Sequence, residues 1–260
     1  MNLLNPTVHK DWLLPHSKEW YAQLGTLYGE YSYTWASTLT EPNGETIFDE
    51  EVFNAASDKV VLDMGCGHGA FTLQCGTVAK EVVGFDVTDG FVLTGNASRK
   101  KNVRFVQGDS KKVLPFAPEI FDMAYVRKGP TSAYLLLSGV VKKGGSVLGL
   151  HPGDKGGIEL PSLFPNLYDP HPEGALVLDR LKERLARSKF EHVEIEVVNS
   201  EEWLRAPVDV LKLRCFGQHP SIYNMLVEEN LEEVTNVFEK YRTERGLCVT
   251  FSRYIVRATV

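Results

Sequence analysis

Apolar and polar positions alternate in blocks between residues 56 and 151. Residues 59–64 (Lys-Val-Val-Leu-Asp-Met) form a short apolar run closed by glycines, the pattern of a buried strand. Residues 70–79 suit the helix that follows. Residues 81–86 make a second strand and 91–100 a second helix. Strands are predicted again at 102–107 and 120–126. A helix over 135–142, begun near Thr131, is broken at Lys143-Gly144-Gly145, and 146–151 is a fifth strand. Strands alternating with helices at this spacing predict βαβ units and a parallel sheet. The crossovers of such a sheet are right-handed, and ligands gather at the carboxyl ends of its strands.

The flanks differ in texture. Residues 1–55 hold Trp12, Trp20, Tyr21, Tyr28, Tyr31, Tyr33 and Trp35 close together. A helix packing Trp20, Leu24 and Leu27 explains part of that cluster. Tyr28, Tyr31, Tyr33 and Trp35 are spaced too irregularly for one helical face. A Pro/Gly-rich loop over 152–172 leaves the ligand edge of the sheet, where loops build pockets. Strand-like runs follow at 192–198 and 248–256, with helices predicted over 200–245.

Composition narrows the class. The 260 residues are 43% hydrophobic and 24% charged, which fits a soluble globular chain and excludes collagen-like or largely disordered readings. The net charge of −6 provides no global basic field for a phosphate backbone, so nucleic acid is disfavoured as a partner. No apolar run approaches the roughly 18 residues that span a bilayer. The first twenty residues lack a basic stretch followed by an apolar core, so no secretory signal is read there. Cys66, Cys75, Cys215 and Cys248 form no C-x-x-C, which argues against a zinc ribbon and fits reduced thiols in the cytoplasm. No metal site is expected.

The chemistry concentrates after the first of these strands, in Asp63-Met-Gly65-Cys66-Gly67-His-Gly69-Ala70. Glycines there let a ligand approach the backbone and lead into a helix N-terminus that favours an anion. Gly65-x-Gly67-x-x-Ala70 also satisfies a dinucleotide fingerprint, so a dehydrogenase is a competing reading. Asp86 ends the next strand, where a carboxylate can take both hydroxyls of a ribose. Gly108-Asp109-Ser110 ends the third, where a carboxylate can accept from an adenine amino group. One acid thus closes each of three successive strands. The dehydrogenase reading lacks support elsewhere, since no tyrosine is followed by lysine four residues later.

These residues resemble the class I S-adenosylmethionine-dependent methyltransferases over about 55–151. Phe121-Asp122-x-x-Tyr125 and Val141-Lys-Lys-Gly-Gly145 fit the same family. The resemblance implies a Rossmann-like α/β fold with a seven-stranded, mostly parallel sheet in the order 3-2-1-4-5-7-6. The last strand pair is antiparallel, helices lie on both faces, and residues 1–55 form a cap before a methyltransferase domain over 56–260. It implies S-adenosylmethionine as cofactor and S-adenosylhomocysteine as product. Gly65, Cys66 and Gly67 match the positions that cradle the methionine part, and Asp63 the position that supports the loop. Asp86, with Val87 beside it, matches the ribose position, and Asp109 and Ser110 the adenine positions. Val126 and Arg127 stand at the fourth-strand exit, which faces cofactor and substrate in this family. Segments before the first strand often close the pocket, which makes Tyr28, Tyr31, Tyr33 and Trp35 candidates for a lid.

On the substrate side, the fourth-strand exit reads Tyr125-Val-Arg-Lys-Gly-Pro130 and lacks the Asn/Asp-Pro-Pro-aromatic motif of base-amine methylation. No cysteine stands at the exit of that strand, as 5-methylcytosine formation would need. A small-molecule acceptor with an O, N or C nucleophile is favoured, with an RNA or protein methyltransferase or a non-catalytic binding module as rivals. Arg127 and Lys128 could hold an anionic group. Arg127 and His151, the latter at the fifth-strand exit and a candidate general base, are the catalytic candidates.

Overall fold

The computed structural model describes residues 3–98 and 100–260. Its helices are α1 (Lys18–Tyr28), α2 (Gly44–Ala56), α3 (Ala70–Cys75), α4 (Asp89–Ala97), α5 (Tyr134–Leu137), α6 (Leu160–Leu163), α7 (Leu176–Ala186), α8 (Pro207–Arg214) and α9 (Pro220–Tyr241). Its strands are β1 (Ser37–Leu39), β2 (Val60–Met64), β3 (Glu81–Asp86), β4 (Val103–Gln107), β5 (Phe121–Arg127), β6 (Val141–Pro152), β7 (His192–Leu204) and β8 (Leu247–Thr259). Among the described residues the strands form one sheet in the order β4-β3-β2-β5-β6-β8-β7-β1. The expected order of seven strands is therefore present, with β1 added at the edge. The chain divides into two compact units, one made of the segment up to Glu41 with 155–174 and 199–252, the other of 42–154, 175–198 and 253–260.

The second unit holds the parallel strands. β4, β3, β2, β5 and β6 pair in parallel, and residues 253–259 of β8 run antiparallel to β6. Side chains alternate across the strands, so each run feeds two cores. Leu62, Met64, Val83, Phe85, Ala124 and Val126 pack with Leu137, Leu181 and Leu185 on one face. Val61, Val82, Met123 and Tyr125 pack with Phe48 and Val52 of α2 and Cys75 of α3 on the other. Burial on both faces explains why these strands read as continuous apolar runs. α2 begins at a capping box, where the Asn43 side chain accepts from the Thr46 N–H and Thr46 reaches back.

In the first unit, α1 starts where Ser17 accepts from the Trp20 N–H and stops at Gly29, whose φ of 67° is left-handed. Leu160, Phe164, Leu204, Leu226 and Phe238 lie in its core. β1 pairs antiparallel with residues 202–204 of β7.

Several expectations are corrected. The segment 1–55 is divided, because α2 buries Phe48, Val52 and Ala56 in the second unit. The helix expected over 135–142 shrinks to α5, because Val141 already pairs with Phe121 and begins β6. Gly144 and Gly145 lie inside that strand, at a register irregularity, and do not precede it. The helix expected over 70–79 stops at Cys75, where Gly76 packs against Val103. The helix expected over 91–100 is α4; its Arg99, like Met1 and Asn2 of the expected cap, lies outside the described residues. Residues 200–204 prolong β7 where a helix is expected. The loop over 152–172 carries α6 and, from residue 155, belongs to the first unit.

Candidate cofactor site

The glycine loop leaves β2 in a conformation few other residues could adopt. Gly65 has φ +80°, and a Cβ there would lie 2.5 Å from Pro130 Cδ and 2.8 Å from Gly129 Cα. The loop is thereby seated against the chain that follows β5. The Phe85 carbonyl accepts from the N–H groups of Gly65 at 2.8 Å and Cys66 at 3.3 Å. Asp86 closes the loop from β3: its Oδ2 accepts from the Gly67 N–H at 2.9 Å and its Oδ1 from the Thr88 N–H at 2.8 Å. Burial pushes the Asp86 carboxyl up from its ordinary range, and those N–H donors work against the rise. The Thr88 side chain and the Val87 N–H draw the same carboxyl down as well. Val87, next to it, is 42% exposed.

Asp63 lies one strand over, directly opposite Tyr125 in the β2–β5 register. It is buried, and its Oδ2 accepts from Thr72 Oγ1 at 2.7 Å and from the Tyr125 hydroxyl at 2.8 Å. Its Oδ1 has no hydrogen-bond partner among the described residues. Burial drives the carboxyl up, the Thr72 and Tyr125 hydrogen bonds and Arg127 draw it down, and Asp86 adds to the rise, for a value of about 7. At the end of β4, the Asp109 carboxylate accepts from the Lys111 N–H at 2.9 Å, and buried Ser110 shares a 2.9 Å hydrogen bond with Ser132.

At the exit of β5 stands a network of charges. Arg127 donates twice to Asp49, at 2.8 Å each, and once to Glu45 at 3.3 Å, with its guanidinium 4.7 Å from the centre of the Phe71 ring. Glu45 also accepts from Lys128 at 3.2 Å and from Arg253 at 2.8 Å. Burial alone would raise the Glu45 carboxyl; Lys128, Arg253 and Arg127 overcome that and hold it at about 2.

The catalytic candidates are placed differently from expectation. Arg127 is clamped between two carboxylates and a ring, so it is not an open receptor for an anion. His151 is buried in the sheet, with Nε2 2.6 Å from the Tyr134 hydroxyl. Burial, and then Arg184, push it down to about 3, so its position does not suit a general base. Val126 is fully buried in the core below the loop, which leaves no side-chain surface there for a ligand. In the first unit Tyr31, Tyr33 and Trp35 pack around Phe216, with Tyr33 and Trp35 stacked at 4.4 Å, and Tyr28 is half exposed. Sequence reasoning missed Thr72, Glu45, Asp49 and Arg253. Only their polarity in otherwise apolar or helical stretches could have pointed to them.

Residues 61–136 match the family described as "Methyltransferase domain". Over that stretch the chain is similar to methyltransferase domains. The matched stretch runs from β2 to α5 and contains the glycine loop, Asp86 and Asp109. No curated protein matches the chain. Among solved structures, a functionally unknown protein from Deinococcus radiodurans R1 is 21% identical, with TM-score 0.63 over 93% of this chain and 99% of its own. The YcgJ protein of Bacillus subtilis is 18% identical, with TM-score 0.56 over 83% and 98%. A Bacillus halodurans C-125 protein assigned as a methyltransferase is 19% identical, with TM-score 0.50 over 81% and 97%. These likenesses establish the fold. S-adenosylmethionine fits the residues present: the buried, half-satisfied Asp63 suits a cation, and a carboxylate at the end of the second parallel strand, as Asp86 is, suits a ribose.

Proposed function

We propose that this chain methylates an O, N or C nucleophile on a small molecule. The observation that carries the reading is the closure of the glycine loop by Asp86, with the buried Asp63 on the adjacent strand. On this reading Asp86 and Val87 lie along the ribose, Asp109 and Ser110 along the adenine, and Gly65, Cys66 and Gly67 along the methionine part. When bound, S-adenosylmethionine supplies an electrophilic sulfonium methyl. The chain's own residues orient the donor and keep water from it, which is where much of such a rate enhancement arises.

The small-molecule assignment draws on the net charge of −6 and on the missing base-modifying motifs. The β5 network supports it too, since the carboxylates of Glu45 and Asp49 already engage the cations that a phosphate backbone would need. Titration calorimetry tests the cofactor half of the proposal. S-adenosylhomocysteine should bind saturably and NAD should give no heat of binding. NAD binding without a response to S-adenosylhomocysteine would refute it.

A further inference from the structure

A cavity of about 190 Å³ opens in the first unit, between α1, the chain that follows it and the turn joining α8 to α9. That turn is held in place by its neighbours. The Phe216 carbonyl accepts from Trp20 Nε1 at 3.2 Å, and the Gly217 carbonyl from Gln23 Nε2 at 2.8 Å. Buried Gln218 exchanges two hydrogen bonds with the Leu13 backbone, at 3.0 and 2.8 Å. The cavity is therefore formed by the chain itself, and little ordering cost falls on a ligand.

The lining divides by chemistry. Leu24 and Cys215 are buried, and Phe216, Tyr28 and Tyr223 add ring carbon. Burial pushes the Cys215 thiol up to about 12, so it is a neutral apolar contact and not a nucleophile. Lys212 is the only charged residue of the lining among the described residues. It is weakly engaged, since its one ion-pair contact among them is Asp209 Oδ1 at 3.6 Å, beyond hydrogen-bond reach. Asp209 does not depend on it, because its oxygens accept from the Ala36 N–H at 2.9 Å and the Ala206 N–H at 3.0 Å. Pro220 and Tyr223 belong to the first turn of α9, which carries no acidic side chain. The positive end of that helix dipole adds to the lysine's charge. Exposed Ser32 and Thr34 supply hydroxyls at the rim.

We propose that this cavity binds a small arenecarboxylate, with its ring against Phe216, Tyr28 and Tyr223 and its carboxylate on Lys212 Nζ. The volume sets the size. A dry cavity of about 150 Å³ takes up benzene, so about 190 Å³ admits one ring with a short acidic arm and excludes a nucleotide. A single ammonium matches one negative charge, which favours a carboxylate over a phosphate dianion. The site lies within the first unit alone and does not depend on the cofactor reading.

The test uses the full chain and phenylacetate as the probe, with benzyl alcohol and benzylammonium as neutral and cationic controls, followed by amide NMR. Phenylacetate should bind saturably, with a dissociation constant below about 1 mM, and move the signals of Ser32, Gly217 and Gln218. Benzyl alcohol should bind at least about tenfold more weakly, and benzylammonium should not bind. Lys212→Met keeps most of the stem and removes the charge. It should weaken phenylacetate binding about tenfold or more and leave benzyl alcohol unchanged. Ser32→Trp, at an exposed position, should block the rim and abolish binding of both, with the melting temperature of wild type.

No saturation by phenylacetate, or shifts confined to other residues, overturns the site. Equal binding of phenylacetate and benzyl alcohol overturns the anionic class, as does an unchanged phenylacetate affinity in Lys212→Met. Binding retained by Ser32→Trp puts the ligand elsewhere and overturns the proposal too. Titration with S-adenosylhomocysteine decides the cofactor reading separately.

Discussion

Asp86 ties down the glycine loop through the Gly67 N–H, and on the proposed reading the same carboxylate holds the ribose. Replacing it with alanine would free the loop as well as remove the ligand contact. Asp86→Asn separates these effects better, because it preserves shape while removing the charge and turning one acceptor into a donor. Losing a charge-assisted hydrogen bond costs about 1.5–3 kcal/mol, so S-adenosylhomocysteine affinity should fall at least roughly tenfold. Calorimetry on a variant with a normal melting curve checks it. Unchanged affinity would show that Asp86 only supports the loop. His151 carries the opposite lesson. A histidine at a strand exit looks chemical in the sequence, yet here its ring is a core side chain paired with Tyr134.

Helix α1 shows how one element organises its unit. Its Trp20 is 1% exposed, donates from Nε1 to the Phe216 carbonyl at 3.2 Å, and meets Tyr21, Tyr31 and Phe216 edge-on. Gly217 has no Cβ because one would lie 2.2 Å from that indole. Aromatic density that suggested a lid is, within this unit, a packed cluster. Trp20→Ala should therefore destabilise by about 3–5 kcal/mol, the usual range for a buried tryptophan. Tyr28, on the same helix but 49% exposed, should change stability by less than about 0.5 kcal/mol when truncated. Denaturant titrations of both variants decide it, and equal losses would contradict the packing described.

Across the molecule, buried titrating groups set opposing responses to pH. Glu45 lies below its ordinary value of 4.5, at about 2. Its contribution to stability is full above about pH 4.5 and is lost as the pH falls toward 2. His151, lowered from 6.5 to about 3, also destabilises the fold on acidification, between those two values. Asp63, raised from 3.8 to about 7, acts in the other direction, and its contribution is lost as the pH rises through that range. Glu45→Gln should therefore flatten the decline in melting temperature between pH 4.5 and 2, at the cost of lower stability near neutrality. A variant as acid-sensitive as wild type would show that the network around Arg127, Lys128 and Arg253 is not what responds.

The parallel strands and the acids at their ends were legible in the sequence because each depends on local pattern, whereas the order of the strands came from the family resemblance. Apolar runs buried on both faces, a glycine turn and a carboxylate at a strand end all leave marks within a few residues of themselves. The span of β6 was not legible, because Val141 becomes a strand residue only through its partner Phe121, and local helix preference over 135–142 carries no trace of that pairing. The roles of Thr72 and Tyr125 were not legible either. Nine and sixty-two residues separate them from Asp63, and only the fold of α3 and the β2–β5 register bring both hydroxyls to one oxygen. For the same reason Arg127 reads as an open cation in the sequence and is a clamped one in the structure. The sequence by itself determined which side chains could do chemistry; tertiary structure alone decided which of them are satisfied by neighbours, because a charge's partners are set by distance in space and not by spacing along the chain.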